Sequence, residues 1–383
     1  MIYLDYNATT PLAPGVFDAM EPFLRTEFGN PSSVHAAGRR SRAAIDDSRD
    51  RFASLLKAKP HEIIFTGGGT ESDNLGVIGI ALAHAEKGRH VITSPTEHHA
   101  VLKAFASLRL RHHFEMELLS VDSNGRVDPA DLSARIRPDT TLVSVMSANN
   151  ETGTLQPIRD LARVCHDRNV LFHSDMIQTF GKEAVDPHAL GVDAVSLAAH
   201  KFYGPKGAGI LFLRSGVAIS PLQHGGSHEN QRRPGTENVA AIVGMTAAAA
   251  WAAPWEPSEV ERQGFMRETL WRGIQDACPD AVRNGDPEGT LPNTLNVSFP
   301  GGDGELLLIG LDLEGVCVSS GSACMVGSVQ PSHVLLAMGV APDLARATVR
   351  FSLGRETKPE DIVGAVNAFG RVWRRLAPEP ANR

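Results

Sequence analysis

Along the first two thirds of the chain, short apolar runs rich in β-branched residues alternate with longer stretches whose apolar positions recur every three or four residues. The runs Glu62–Thr66, His90–Ser94, Leu142–Ser147, Val170–His173, Ala194–Ala198 and Gly209–Leu213 predict strands. The stretches Glu71–Lys87, Ala100–Leu110 and Ile158–Arg168 predict helices between them. Alternation of this kind predicts βαβ units: an α/β fold with a mostly parallel, doubly wound sheet and helices on both faces. Such sheets take ligands beyond the carboxyl ends of their strands. Asn149, Asn150, Asp175 and Lys201 each fall just past a predicted strand end, so the pattern brings them to one edge.

After about Trp255 the pattern changes. Helices are predicted at Ser258–Asp276, Glu305–Leu313, Ser332–Met338 and Pro359 to about Leu376, with strands only at Thr294–Phe299, Val316–Ser319 and Thr348–Leu353. Fewer strands and longer helices indicate a smaller α+β domain, with Pro254 and Pro257 bracketing the boundary. The expected division is a large domain over 15–254 and a small one over 255–383 joined by residues 1–14. With 383 residues and 42% apolar composition the chain can bury a large core. The most apolar stretch, Val239–Ala253, is Ala-rich and too short for a bilayer, so it reads as a buried helix and no membrane partner is expected. Residues Met1–Asp5 carry no charged segment followed by an apolar one, so no signal peptide is expected. The net charge is −7, and no basic run exceeds pairs such as Arg39-Arg40 and Arg374-Arg375, which argues against direct nucleic-acid binding. Cys165, Cys278, Cys317 and Cys324 form no CxxC pair, as expected of a reducing, cytoplasmic setting.

The candidate chemistry begins at Lys201, in Ala199-His200-Lys201-Phe202-Tyr203-Gly204-Pro205-Lys206-Gly207, and at Asp175, in His173-Ser174-Asp175-Met176-Ile177-Gln178. A lysine ending one apolar run and a carboxylate ending an earlier one are what pyridoxal phosphate requires. The amine forms a Schiff base with the aldehyde, and the acid keeps the pyridine nitrogen protonated. Lys206 competes for that role but sits in a Gly-Pro-Lys-Gly turn, so Lys201 is preferred. Thr66-Gly67-Gly68-Gly69-Thr70-Glu71-Ser72 lies between a strand and a helix; its glycines free backbone N–H groups for an anion, and Thr70 adds a hydroxyl. It is not a Walker A loop, because no Lys-Ser/Thr follows the glycines. His98 follows the strand ending near Ser94, where an imidazole can stack on a ring and move protons. The doublets His98-His99 and His112-His113 lack zinc-type spacing and an accompanying carboxylate pair, so no metal is expected. Cys324 stands among small polar residues in Ser319-Ser320-Gly321-Ser322-Ala323-Cys324, a loop context unusual for cysteine, whereas the other three lie in apolar or helical surroundings. Arg350, a charge inside an apolar strand, needs a carboxylate: either a substrate's or a structural partner's.

Together these segments resemble the cysteine desulfurases of PLP fold type I, in the class V aminotransferase superfamily. The resemblance runs through Tyr3–Pro11, Gly29–Ser33, Thr70–Asn74, Asn149–Glu151, His200-Lys201, Arg233–Asn238 and Ser319–Cys324, the last resembling the group I subclass with its cysteine on a flexible loop. The resemblance implies that L-cysteine is converted to L-alanine, leaving a persulfide on Cys324 for an acceptor protein that serves iron–sulfur assembly or thio-modification. It implies catalytic roles for Cys324, Lys201 and His98, and a cofactor site of Gly69, Thr70, His98, Asn150, Asp175, Gln178, Ala198, His200 and Lys201. Within that site Asp175 pairs the pyridine nitrogen, Gln178 the phenolic oxygen, and Thr70 and His200 the phosphate. Thr236 reaches the phosphate from the second subunit of a homodimer, and Asn150 and Arg350 bind the substrate carboxylate. Three departures stand out: Ala198 where relatives carry a phosphate-binding serine, Gly69 in place of alanine, and the bulkier Met176-Ile177 between Asp175 and Gln178. The chain also ends 28 residues after Arg355, where several relatives continue into a scaffold-docking tail. An aminotransferase or a selenocysteine lyase on the same fold is the alternative.

Overall fold

The computed structural model describes residues 1–252, 257–320 and 330–376. Cys324 and the predicted boundary residue Pro254 lie outside the described residues. Twelve strands are described: β1 (Ile2–Tyr3), β2 (Ile63–Thr66), β3 (His90–Thr93), β4 (Glu115–Leu118), β5 (Thr140–Ser144), β6 (Leu171–Asp175), β7 (Ala194–Ala198), β8 (Gly209–Leu213), β9 (Val282–Asn284), β10 (Thr294–Ser298), β11 (Val316–Cys317) and β12 (Thr348–Ser352). Seven of them form one sheet in the order β2-β8-β7-β6-β5-β3-β4. Every neighbouring pair is parallel except those of β8, which runs against both β2 and β7.

This sheet is buried on both sides, which is why its central strands read as unbroken apolar runs. Phe65, Val143, Phe172, Val195 and Phe212 point into one core with the helix Val239–Ala252. Ile64, Val91, Leu142 and Leu211 point into the other with the helix His99–His112. A separate core gathers Leu4, Leu295, Val297, Phe299, Val349 and Phe351 beneath the helices Pro257–Ala277 and Pro359–Leu376. Its antiparallel sheet runs β12-β10-β9, and β1 pairs in parallel with β11 beside it.

The structure departs from the sequence reading in several elements. The predicted helix Glu71–Lys87 is an α-turn over Gly69–Asn74, a π-helical turn over Leu75–Gly79 and a final α-turn ending at Ala83. Inside the wide turn, Gly76 lies so close to His173 that a Cβ there would sit 2.8 Å from its Cδ2. β6 runs on to Asp175, so that carboxylate is the strand's last residue rather than a loop residue. Two helices without a predicted counterpart, Val16–Arg25 and Ala36–Leu55, pack against Val239–Ala252. Among the described residues, no helix is long and apolar enough to cross a membrane.

Candidate active site

All the parallel strands of the large sheet present their carboxyl ends to one edge, and a cavity of about 350 Å³ opens there. Gly69, Thr70, His98, Asn150, Asp175, Gln178, Ala198, His200, Lys201 and Arg350 all line it. Thr236 does not; it is exposed on the segment that follows Arg233. Lys206 is exposed and borders a second, more open basin of about 730 Å³, shared with Gly67–Glu71 and His200.

Lys201 ends a short 3₁₀ turn after β7, and its Nζ donates to the carbonyls of Asn7 at 2.6 Å and Ala8 at 2.8 Å. Asp175 is buried; its Oδ1 accepts from the Ile177 N–H at 2.9 Å. Burial lifts its carboxyl to about 6, against the Ile177 hydrogen bond and the charge of Lys201. His98 caps the helix His99–His112, where Nδ1 accepts from the Ala100 N–H at 3.1 Å, so the neutral ring carries its proton on Nε2. Burial, then the nearby Lys201, pushes that imidazole down to about 4, which keeps it neutral at pH 7. His200 is lowered to about 4 by the same two causes, and its Nδ1 lies 3.2 Å from Thr9 Oγ1. The Arg350 guanidinium donates to Asp5 Oδ1 and to the Asn150 carbonyl, both at 2.9 Å, while its buried Nε has no acceptor among the described residues. Arg350 therefore has a structural carboxylate partner and still faces the cavity.

Several participants carried no signal of their own in the sequence. Asn7, 1% exposed, holds the site to the smaller core. Its N–H donates to Ser352 Oγ, its Nδ2 to Thr294 Oγ1 and the Asn150 carbonyl, and its Oδ1 accepts from Asn293. Asp73 lines the cavity fully buried, with neither oxygen hydrogen-bonded among the described residues; burial, then Asp175, holds its carboxyl well above the usual range. Asn7 and Asp73 lie in quoted motifs, but nothing about those motifs indicated these contacts. Lys182, buried and donating to Gln178 Oε1 at 3.0 Å, showed no pattern at all.

The three departures from the family pattern converge in space. A Cβ on Gly69 would lie 2.4 Å from Ile177 Cδ1 and 3.2 Å from Ala198 Cβ. The larger residue at 177 thus occupies the volume that glycine at 69 and alanine at 198 leave free. Gly69→Ala should cost about 1–2 kcal/mol of stability through overpacking, and adding Ile177→Val, which removes Cδ1, should recover most of it. Thermal unfolding of the single and double variants checks this; additive losses would refute the coupling.

The cavity suits pyridoxal phosphate. An amine and a buried carboxylate line it together, and the helix Gly69–Asn74 begins at its rim with no side-chain cap at Gly68. Comparisons agree. The class-V aminotransferase family model matches residues 2–363, and the chain belongs to that family. Within it, the chain is 48% identical over 375 residues to a cysteine desulfurase IscS of Dictyoglomus turgidum, across 98% of this chain and 95% of that one. Among solved structures, a NifS-like protein superposes with a TM-score of 0.92 at 36% identity, covering 98% of this chain and 100% of that one. SspA in complex with cysteine gives 0.82 at 35%, covering 92% and 99%. The fold and the relatives place the chain among the pyridoxal phosphate-dependent cysteine desulfurases.

Proposed function

We propose that this chain converts L-cysteine to L-alanine and collects the sulfur as a persulfide on Cys324 for transfer to an acceptor protein. The observation that carries the reading is the convergence of Lys201, Asp175, His98 and Arg350 on one cavity at the sheet edge. Bound pyridoxal phosphate supplies the electron-withdrawing ring that acidifies the substrate Cα–H and loosens its C–S bond. Lys201 would anchor the coenzyme, and its amine would take the substrate Cα proton. Asp175 would pair the pyridine nitrogen, where a carboxylate made more basic by burial would hold a proton more firmly. Asn150 and Arg350 orient the substrate carboxylate, with Arg350 held in place by Asp5.

His98, neutral with its proton on Nε2, exchanges a proton with the substrate sulfur. The Cys324 thiolate attacks that sulfur: an S–S bond forms, the C–S bond breaks, and its electron pair takes up a proton to become the methyl C–H of alanine. Burial raises the thiols of Cys165, Cys278 and Cys317, which keeps them protonated and unsuited to the attack. Thr236, exposed and away from its own chain's cavity, is read as the phosphate ligand given to a second subunit. The exposed Phe17, Leu24, Phe28 and Val34 support a buried interface in a homodimer.

The test is a balance of products. Purified protein reconstituted with pyridoxal phosphate and given cysteine should yield alanine, release sulfide with a reductant, and gain the mass of one sulfur atom on the peptide containing Cys324. Keto-acid formation without alanine would overturn the reading in favour of transamination.

A further inference from the structure

Lys182 lies outside the cavity wall, buried at 7% exposure four residues after Gln178, in a place no catalytic role requires. Its Nζ donates to Gln178 Oε1 at 3.0 Å and to Asn7 Oδ1 at 3.4 Å. On the other side of the same carboxamide, Gln178 Nε2 donates to the Asn7 carbonyl at 2.9 Å. These two contacts admit one orientation of the amide. Turned over, Oε1 would face the Asn7 carbonyl, a repulsion whatever the charge on Lys182, and the NH₂ would face the Lys182 Nζ, a second repulsion whenever that amine is protonated. In the observed orientation the second N–H of Nε2 remains for the cavity that Gln178 lines.

We propose that Lys182 is a positioning residue: it holds the Gln178 oxygen away from the cavity, so that Gln178 presents an N–H donor to the coenzyme's phenolic oxygen. This rests on the coenzyme reading above. The location costs the lysine dearly, because burial, followed by the charges of Lys201 and Arg350, lowers it to about 7. An apolar residue would avoid that penalty. The hydrogen bond to Gln178 is a physical reason for a lysine at this position.

The experiment compares Lys182→Met with the unaltered protein in coenzyme affinity, visible spectrum and thermal unfolding. Methionine matches the length and removes the donor without a buried charge. Lys182→Met should bind pyridoxal phosphate about tenfold more weakly, the order expected for one hydrogen bond. It should also shift the pH at which the bound coenzyme's visible band interconverts, with no loss of melting temperature in the apo form. In a Gln178→Ala background the same change should have no further effect on affinity. Unaltered affinity and spectrum in Lys182→Met, or additive losses in the double variant, would overturn the proposal. Should Lys182→Met fail to fold, Lys182→Gln, which keeps a neutral N–H donor, takes its place and should retain the wild-type spectrum; a shifted spectrum there overturns the proposal too. If the unaltered protein takes up no coenzyme, the functional reading fails instead, and the two failures are distinct.

Discussion

Lys201→Ala should yield a folded protein that turns over cysteine at least about 10³-fold more slowly, because the loss of a general base alone costs ~10²–10⁴ and the same amine anchors the coenzyme. The fold should survive. The carbonyls of Asn7 and Ala8 lose one donor, but Asn7 stays tied to Ser352, Thr294 and Asn293, and the cores beneath the site are untouched. The decisive measurement is spectroscopic: coenzyme added to Lys201→Ala should wash out on gel filtration and leave colourless protein. Coenzyme that borohydride reduction fixes covalently to Lys206 would transfer the anchoring role to the outer basin, where that residue sits.

Cys324→Ala should do the reverse. Coenzyme colour and melting temperature should match the unaltered protein, while alanine and sulfide fall by at least about 10³-fold, since groups that act as a unit are lost together. Each of the three thiols among the described residues is raised by its surroundings, and Cys165 and Cys278 are buried as well. None of them is suited to substitute for the missing nucleophile. Alanine formed at the normal rate by Cys324→Ala would remove position 324 from the chemistry and mean that the sulfur passes, as sulfane sulfur, directly to an added thiol.

What could be read in advance followed from burial. The inner strands of the large sheet are covered on both faces, so their apolar runs stood out, and Asp175 and Lys201 followed by position. Strand direction left no such mark: nothing in Gly209–Leu213 indicated that β8 runs against its neighbours. The helix Ala36–Leu55 escaped because half of its inward seam is Gly38, Ser41 and Ser48, so burial along it does not coincide with hydrophobicity. β4, Glu-Met-Glu-Leu at the sheet edge, escaped for a related reason: none of its four residues is buried. Within the site, residues that would touch coenzyme or substrate were legible from their chemical types. Those that act through another residue were not. Asn7 meets Ser352, Thr294 and Lys201 only after the chain has folded back on itself, and Lys182 and Gln178 are an i,i+4 pair without a distinctive pattern.

Asn7 also bears on when during its own synthesis the protein becomes competent. Two of the contacts that close the site, Asn7 to Ser352 and Arg350 to Asp5, join residues 345 positions apart. The segment around Asn7 therefore waits for the segment around Ser352, made 345 residues later, before it can settle against the lysine amine. Vitamin capture in its final geometry is thus a late event, and a prematurely terminated chain lacking β12 would emerge with its large sheet formed but its cradle unfinished.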